Sequence, residues 1–200
     1  MRDDSNKKKP KFVVSCTDDE GVKFVEARIN GVVVQSVTSS PYAFEFDTTQ
    51  LTDGEHGVLF QCSDIYGVPS LAESRWITAD NTGPSFTFGV YGGGHQYVVQ
   101  AQSVQDSHGI TSAQLVGGVL SPSFNVLLTV APYWYTFVFS NSLSVVSLFP
   151  FTVVATDTWG NSTTKGYYCY MDTRTTVDTW LACTVLPANM TFAPMAPSQP

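Results

Sequence analysis

Two stretches of this chain carry the same spaced pattern. Pro41-Tyr42 returns as Pro132-Tyr133, and Asp64-Ile65-Tyr66-Gly67 returns as Asp157-Thr158-Trp159-Gly160, 93 residues later. A period near ninety is too long for solenoid repeats, whose units run about 20–50 residues. It is the size of one small β-sandwich domain, about 100 residues. The repeat therefore points to two similar domains rather than one large core.

Within the first copy the apolar residues recur with period two. Phe12, Val14 and Cys16 alternate with Val13 and Ser15, and Val25, Ala27 and Ile29 alternate with Glu26 and Arg28. Tyr42, Phe44 and Phe46 form a third such set, and Val58, Phe60 and Cys62 a fourth. Residues two apart share one face of a strand, so each set presents an apolar side to a common core. No comparably long segment has helical periodicity, and the chain reads as all-β. Asn30-Gly31 between Ile29 and Val32 suits a tight hairpin, because both residues tolerate positive φ. Gly117-Gly118 takes the same place in the second copy, and Thr52-Asp53-Gly54 supplies a further turn. Gln114 falls where the second copy should place an inward residue.

Taken in order, "VSCTDDEGVKFVEARINGVVV" and "SPYAFEFDTTQLTDGEHGVLFQCSDIYG" resemble the bacterial-type Ig-like modules of secreted and surface proteins. The resemblance covers Val14 to Gly67, and the second copy keeps "APYWYTF" and "TDTWGNST". It implies two tandem immunoglobulin-like β-sandwich domains that space, adhere or present, and it does not imply catalysis. The boundaries expected are 10–79 for the first domain, 80–84 for a linker and 85–173 for the second. Residues 174–200 form a proline-rich tail or the start of a further module. "ADNTGP" resembles the connector between such modules, and Pro84 interrupts any ladder running into it. "SFTFGV" then opens the second domain. No equivalent strand precedes Phe12, so the first domain lacks its opening strand through truncation or has that edge filled by another segment. Thr184 to Phe192 is a candidate strand for an exposed edge.

The chain is 43% hydrophobic and 14% charged, against about 25% charged in typical soluble domains. Its formal charge of -7 argues against a nucleic-acid partner, which would demand a basic surface. The basic run "KKKPK", Lys7 to Lys11, reads as a solvated linker. "MRDDSNKKKP" has no apolar core of a signal peptide, and no apolar run reaches the length of about 18 residues that a membrane span needs. The expectation is a monomeric fragment of a larger extracellular or cell-surface protein, with protein or glycan at the cell surface as partner.

Four cysteines permit three pairings, among which sequence alone does not choose. Cys16 and Cys62 fall in the inward phase on the equivalents of the second and sixth strands, which antibody-type domains join across the core. In the second copy Ala155 stands where Cys62 would be. On that resemblance Cys16 pairs with Cys62 and Cys169 with Cys183; buried free thiols are the alternative. Two N-x-Ser/Thr sequons, at Asn161 and Asn189, are candidate glycosylation sites, Asn161 in an exposed turn.

The chain spells no P-loop, nucleophile elbow or Cys–His arrangement. His56, His95 and His108 have no ligand-spaced partner for zinc, and "YGGGH" precedes a strand rather than a phosphate-binding helix and reads as a flexible loop between the first two strands of the second domain. The acidic turns are the candidates for ions. The loops after the second and sixth strands should meet at one end of each sandwich, gathering Asp18, Asp19, Glu20 and Asp64 in one domain. In the other they gather Asp106 and Asp157 near Asp80, and that second set is the candidate for calcium, which takes six to eight oxygens. Aspartates that cap turn amides are the alternative. Aromatics occupy both phases of "YWYTFVF", which aims Trp134 outward as a candidate ligand contact. The functional expectation is a non-catalytic spacer, adhesion or presentation tandem without a cofactor; the alternative is an accessory segment that positions carbohydrate for a secreted hydrolase.

Overall fold

A computed structural model describes residues 8–93, 96–117, 124–138, 146–172 and 179–185. The chain divides into two units, Met1–Thr82 and Gly83–Pro200. Among the described residues regular structure is strand, apart from one short 3-10 turn, and each unit is a β-sandwich.

The first unit runs β1 (Lys11–Val14), β2 (Val22–Ile29), β3 (Val32–Val37), β4 (Tyr42–Glu45), the 3-10 turn Thr48–Gln50, β5 (Gly54–Asp64) and β6 (Glu73–Ala79). Strands β1 and β4 pair as one layer, and β3-β2-β5-β6 form the other. The period-two sets face each other across the layers: Phe12, Val25, Ala27, Ile29, Tyr42, Phe44, Val58, Phe60 and Ile77 are buried together. Phe60 stands at the centre, its ring 5.1 Å from Phe44, 5.5 Å from Phe12 and 6.1 Å from Phe46. The β2–β3 hairpin closes through Asn30 and Gly31 at φ 52° and 82°, the left-handed pair that such a turn requires. Strand β3 departs from strict alternation. Its ladder to β2 shifts register between Ala27 and Arg28, where Gln35 and Val33 are the successive partners. Val34 is the additional residue, and Val32, Val33 and Val34 are all exposed. Among the described residues no strand pairs with the edge of β1 that faces away from β4.

The second unit runs β7 (Ser85–Gly93), β8 (Gln96–Gln105), β9 (Ile110–Gly117), β10 (Phe124–Leu128), β11 (Tyr133–Val138), β12 (Val146–Asp157), β13 (Ser162–Asp172), β14 (Thr179–Trp180) and β15 (Cys183–Val185). One layer is β11-β8-β7-β14, the other β10-β9-β12-β13-β15. Here the opening strand β7 is present and pairs along β8. The core gathers Phe86, Val90, Tyr97, Val99, Ala113, Leu115, Phe151, Val153, Ala155 and Tyr167. Lys165 closes one side: its Nζ donates to the Phe86 carbonyl at 2.9 Å and lies 4.8 Å from the Phe86 ring centre.

Three local expectations are corrected. Gln114 does not take the inward phase of β9; Ala113 and Leu115 do, while Gln114 Nε2 donates to Asn125 Oδ1 at 2.7 Å. Gly117 is no turn residue but the last of β9, paired with Phe124 and Phe151. A Cβ there would collide with the Phe124 ring, and Gly118 lies outside the described residues. Tyr91, Gly92 and Gly93 of "YGGGH" belong to β7 rather than to a loop; His95 lies outside the described residues. The tail contributes two short strands: Trp180 pairs with Tyr91, and Cys183 to Val185 pair with Cys169 to Tyr167. Residues 186–192 lie outside the described residues.

Disulfides join Cys16 to Cys62 and Cys169 to Cys183. The first links the layers of the first unit, running from just beyond β1 to β5. The second fastens β15 to β13. Closing a loop of 46 residues in sequence stabilises by about 3–4 kcal/mol on the chain-entropy account.

Phe44 is 1% exposed and touches the rings of Phe46 and Phe60. Phe44→Ala is expected to lower the stability of the first unit by about 3–5 kcal/mol. Urea unfolding, with amide exchange read in β1 to β6, measures that loss.

Candidate functional site

The repeated Asp-x-x-Gly motif builds the same turn in both units. In the first, Asp64 ends β5 and its Oδ1 accepts from the backbone N–H groups of Tyr66 at 2.9 Å and Val68 at 2.7 Å. In the second, Asp157 ends β12 and its Oδ1 accepts from Trp159 N–H at 2.7 Å and Asn161 N–H at 2.9 Å. The glycine that follows takes φ 85° at Gly67 and 84° at Gly160. A short acidic side chain is the group that reaches its own backbone two to four residues on. The sequence repeat is therefore a repeat of backbone chemistry.

Each turn docks on the loop that joins the two layers. Ile65 N–H donates to the Gly21 carbonyl at 3.2 Å, and Thr158 N–H to the Gly109 carbonyl at 3.1 Å. In the second unit Thr158 Oγ1 also donates to the His108 carbonyl, and Thr111 Oγ1 to the Asp157 carbonyl. The loop pairs that the sequence places at one end of each sandwich do meet there.

The acidic residues divide by what their oxygens do. Asp157 is 1% exposed, and its second oxygen accepts from Asn161 Nδ2 at 2.8 Å. Its carboxylate is thus committed to three donors within one turn. Asp106 Oδ1 accepts from His108 N–H at 2.8 Å. Asp80 is buried and belongs to the first unit, whereas Asp106 and Asp157 belong to the second. Among the described residues of either unit taken alone, Asp18, Asp19 and Glu20 are the set whose carboxylates lie within 4.8 Å of one another. All three are exposed, and Asp18 already accepts from Glu20 N–H at 3.0 Å.

The same accounting covers "DTTQLTDGEH". Asp47 caps the 3-10 turn, its Oδ1 accepting from Thr49 N–H at 3.0 Å and Thr49 Oγ1 at 2.6 Å. These two bonds hold its carboxyl below the ordinary value of 3.8, with Lys9 adding a smaller push in the same direction. His56 is buried and its Nε2 lies 2.7 Å from the Thr52 carbonyl, to which it donates. Asn81 of the connector ties this region to the end of β6. Its Nδ2 donates to the carbonyls of Thr48 and Leu51, both at 2.9 Å, and its N–H to Asp53 Oδ1. The sequence shows "ADNTGP" only as a boundary; the job of Asn81 as a clamp follows from the fold.

Asn161 is a correction. It is 7% exposed rather than open, because its side-chain nitrogen, the atom a glycan would occupy, is bound to Asp157 inside the turn. Asn189 lies outside the described residues. Trp134 is 47% exposed on β11. A shallow concavity of the second unit is lined by Ser85, Val104, Gln105, Asp106, Ser107 and Ile110; Asp106 supplies its one carboxylate, and Ser107 Oγ lies 3.0 Å from Nδ1 of the adjacent His108.

Each unit has the two-layer architecture of an immunoglobulin-like β-sandwich. Residues 4–58 match the family model described as "Bacterial Ig domain". Among solved structures the chain is similar to the fibronectin(III)-like modules of CbhA from Clostridium thermocellum, at 16% identity and a TM-score of 0.36, over 84% of this chain and 87% of that one. No curated protein matches it.

Two outcomes test the turn chemistry. Asp157→Ala strands three buried or half-buried donors and should cost at least about 2 kcal/mol in chemical denaturation of the second unit. The carboxyl of Asp47 should titrate below 3.8 in a pH series of NMR spectra. Because its folded value is depressed, the stability it contributes is present above the ordinary carboxylate range and is lost as pH falls through the folded value. Thr49→Val should move that midpoint back upward.

Proposed function

We propose that the chain is a non-catalytic Ig-like tandem that serves as a spacer, adhesion or presentation module of an exported or cell-surface protein. The observation that carries this reading is where the chemistry-bearing side chains are spent. Asp47, Asp64, Asp157, His56 and Asn81 all bind backbone of their own unit. Such residues set shape rather than turn over a substrate. Two disulfides favour an oxidising compartment, where such bonds persist. No helix among the described residues is long and apolar enough to cross a membrane.

A second reading, an accessory segment that positions carbohydrate for a secreted hydrolase, draws its support from the half-exposed Trp134 on an uncharged sheet face of the second unit. Both readings treat the chain as part of an exported protein.

Production in an oxidising and in a reducing compartment tests export and role together. The protein from the oxidising compartment should contain no titratable thiol and should melt higher than its reduced counterpart. It should display a fused reporter on the cell surface without hydrolysing ester, glycoside or phosphoester substrates. Four reactive thiols in the native exported protein, or turnover of any of those substrates, would overturn the proposal.

A further inference from the structure

The outer face of the second unit's β11-β8-β7-β14 sheet has a composition unlike the rest of the chain. The protein carries 27 charged residues, 10 basic and 17 acidic, yet none of these four strands contains one, nor a histidine. In their place stand aromatic rings and primary amides. Trp134 on β11 pairs with Gln100 on β8, and Gln100 pairs with Gly89 on β7. Trp180 on β14 pairs with Tyr91, with ring centres 5.3 Å apart.

Gly89 explains how Trp180 is held. A Cβ at that position would lie 2.6 Å from the indole Cζ3 and 2.9 Å from Gln102 Nε2. The bare backbone lets the indole lie across β7, and Leu181 N–H anchors the segment to the Val90 carbonyl at 2.9 Å. The indole remains 59% exposed, as Trp134 is 47% exposed. Gly89 and Trp134 are two strand spacings apart, about 9–10 Å. One tryptophan therefore stands on each side of Gln100, with Gln102 beside it.

We infer that this face binds a neutral polysaccharide. The carbon–hydrogen faces of sugar rings stack on the two indoles, and the Gln100 and Gln102 amides, each both donor and acceptor, meet the hydroxyls between them. A face without charge offers nothing to an anionic polymer. Amides in the gap distinguish it from a purely apolar surface for lipid. The site deepens the second reading given above, on which it rests, and the spacer reading stands whether or not the site binds.

Affinity electrophoresis of the full chain tests it, in native gels holding hydroxyethylcellulose, xylan or galactomannan, with alginate as the anionic comparison. At least one neutral polymer should retard the protein. Trp134→Ala and Trp180→Ala should each weaken that retention about tenfold or more, the effect of truncating an aromatic anchor. Gly89→Val should weaken it by displacing the Trp180 indole. Trp76→Ala, which removes a 63% exposed tryptophan from the first unit, should leave it unchanged. All four variants are compared at matched circular dichroism and melting temperature. Trp134 and Trp180 are exposed, so their truncation leaves the core in place. Absence of retardation by every neutral polymer overturns the inference, as does retention that survives both Trp134→Ala and Trp180→Ala. Retention by alginate alone, or an equal loss in Trp76→Ala, overturns it as well. In any of these cases thiol content and surface display still report separately on the export reading.

Discussion

The bond on which each unit's architecture rests is that between an aspartate carboxylate and the amides of the turn it begins. Strands β5 and β12 are the longest of their units and run through the middle of their sheets. Where each ends, the chain must reverse while the loop from the opposite layer arrives beside it. Asp64 and Asp157 satisfy the amides of that reversal, and the turn then offers its next N–H to the neighbouring loop. Layer-to-layer closure thus follows from a local interaction spanning four residues. The pattern Asp-x-x-Gly survives in the second copy even where the surrounding side chains differ.

The same logic accounts for groups that look chemical in a linear sequence. An acidic residue, a histidine and an asparagine each carry several hydrogen-bonding atoms on a short stem, which suits them to caps as much as to catalysis. In the first unit Asp47, His56 and Asn81 converge on one stretch of backbone between β4 and β5. His56 is the buried one of the three, and its burial is tolerable because its ring nitrogen finds the Thr52 carbonyl. The second unit reaches the same end with fewer of them and with a disulfide placed elsewhere. Ala155 occupies the inward position at which the first unit has Cys62, while Cys169 and Cys183 fasten β15 instead.

Much of this was legible before any coordinates. Period-two alternation gave the phase of Phe12, Val25, Phe44 and Phe60, since a strand offers only two faces. Asn30-Gly31 named its own turn, since few residues accept positive φ. The repeat announced that Asp64 and Asp157 share a role, though it left open whether that role was an ion or a cap; the partners of Asp157 describe a cap. What stayed hidden depends on contacts distant in sequence. Asn81 serves carbonyls about thirty residues earlier, and no local pattern marks that. Asn161 follows a turn and so reads as exposed, but its amide folds back onto Asp157. Trp180 sits in a strand of two residues within residues 174–200, whose composition reads as a proline-rich tail. Its partner strand, not its own neighbours, determines its conformation. Ala113 and Leu115, not Gln114, take the inward phase of β9, and a shift of one residue exchanges the faces of a strand.

Strand β3 shows how this protein keeps an apolar edge from becoming a liability. Three adjacent valines, Val32 to Val34, lie open on the outermost strand of a sheet, where no lysine or proline interrupts them. An edge so furnished invites a neighbouring chain to continue the ladder. The extra residue at Val34 breaks the register and increases the local twist, so a second flat strand laid alongside would find its hydrogen bonds out of step. The safeguard is geometric rather than electrostatic, and high salt, which erases charge-based protection, leaves it intact.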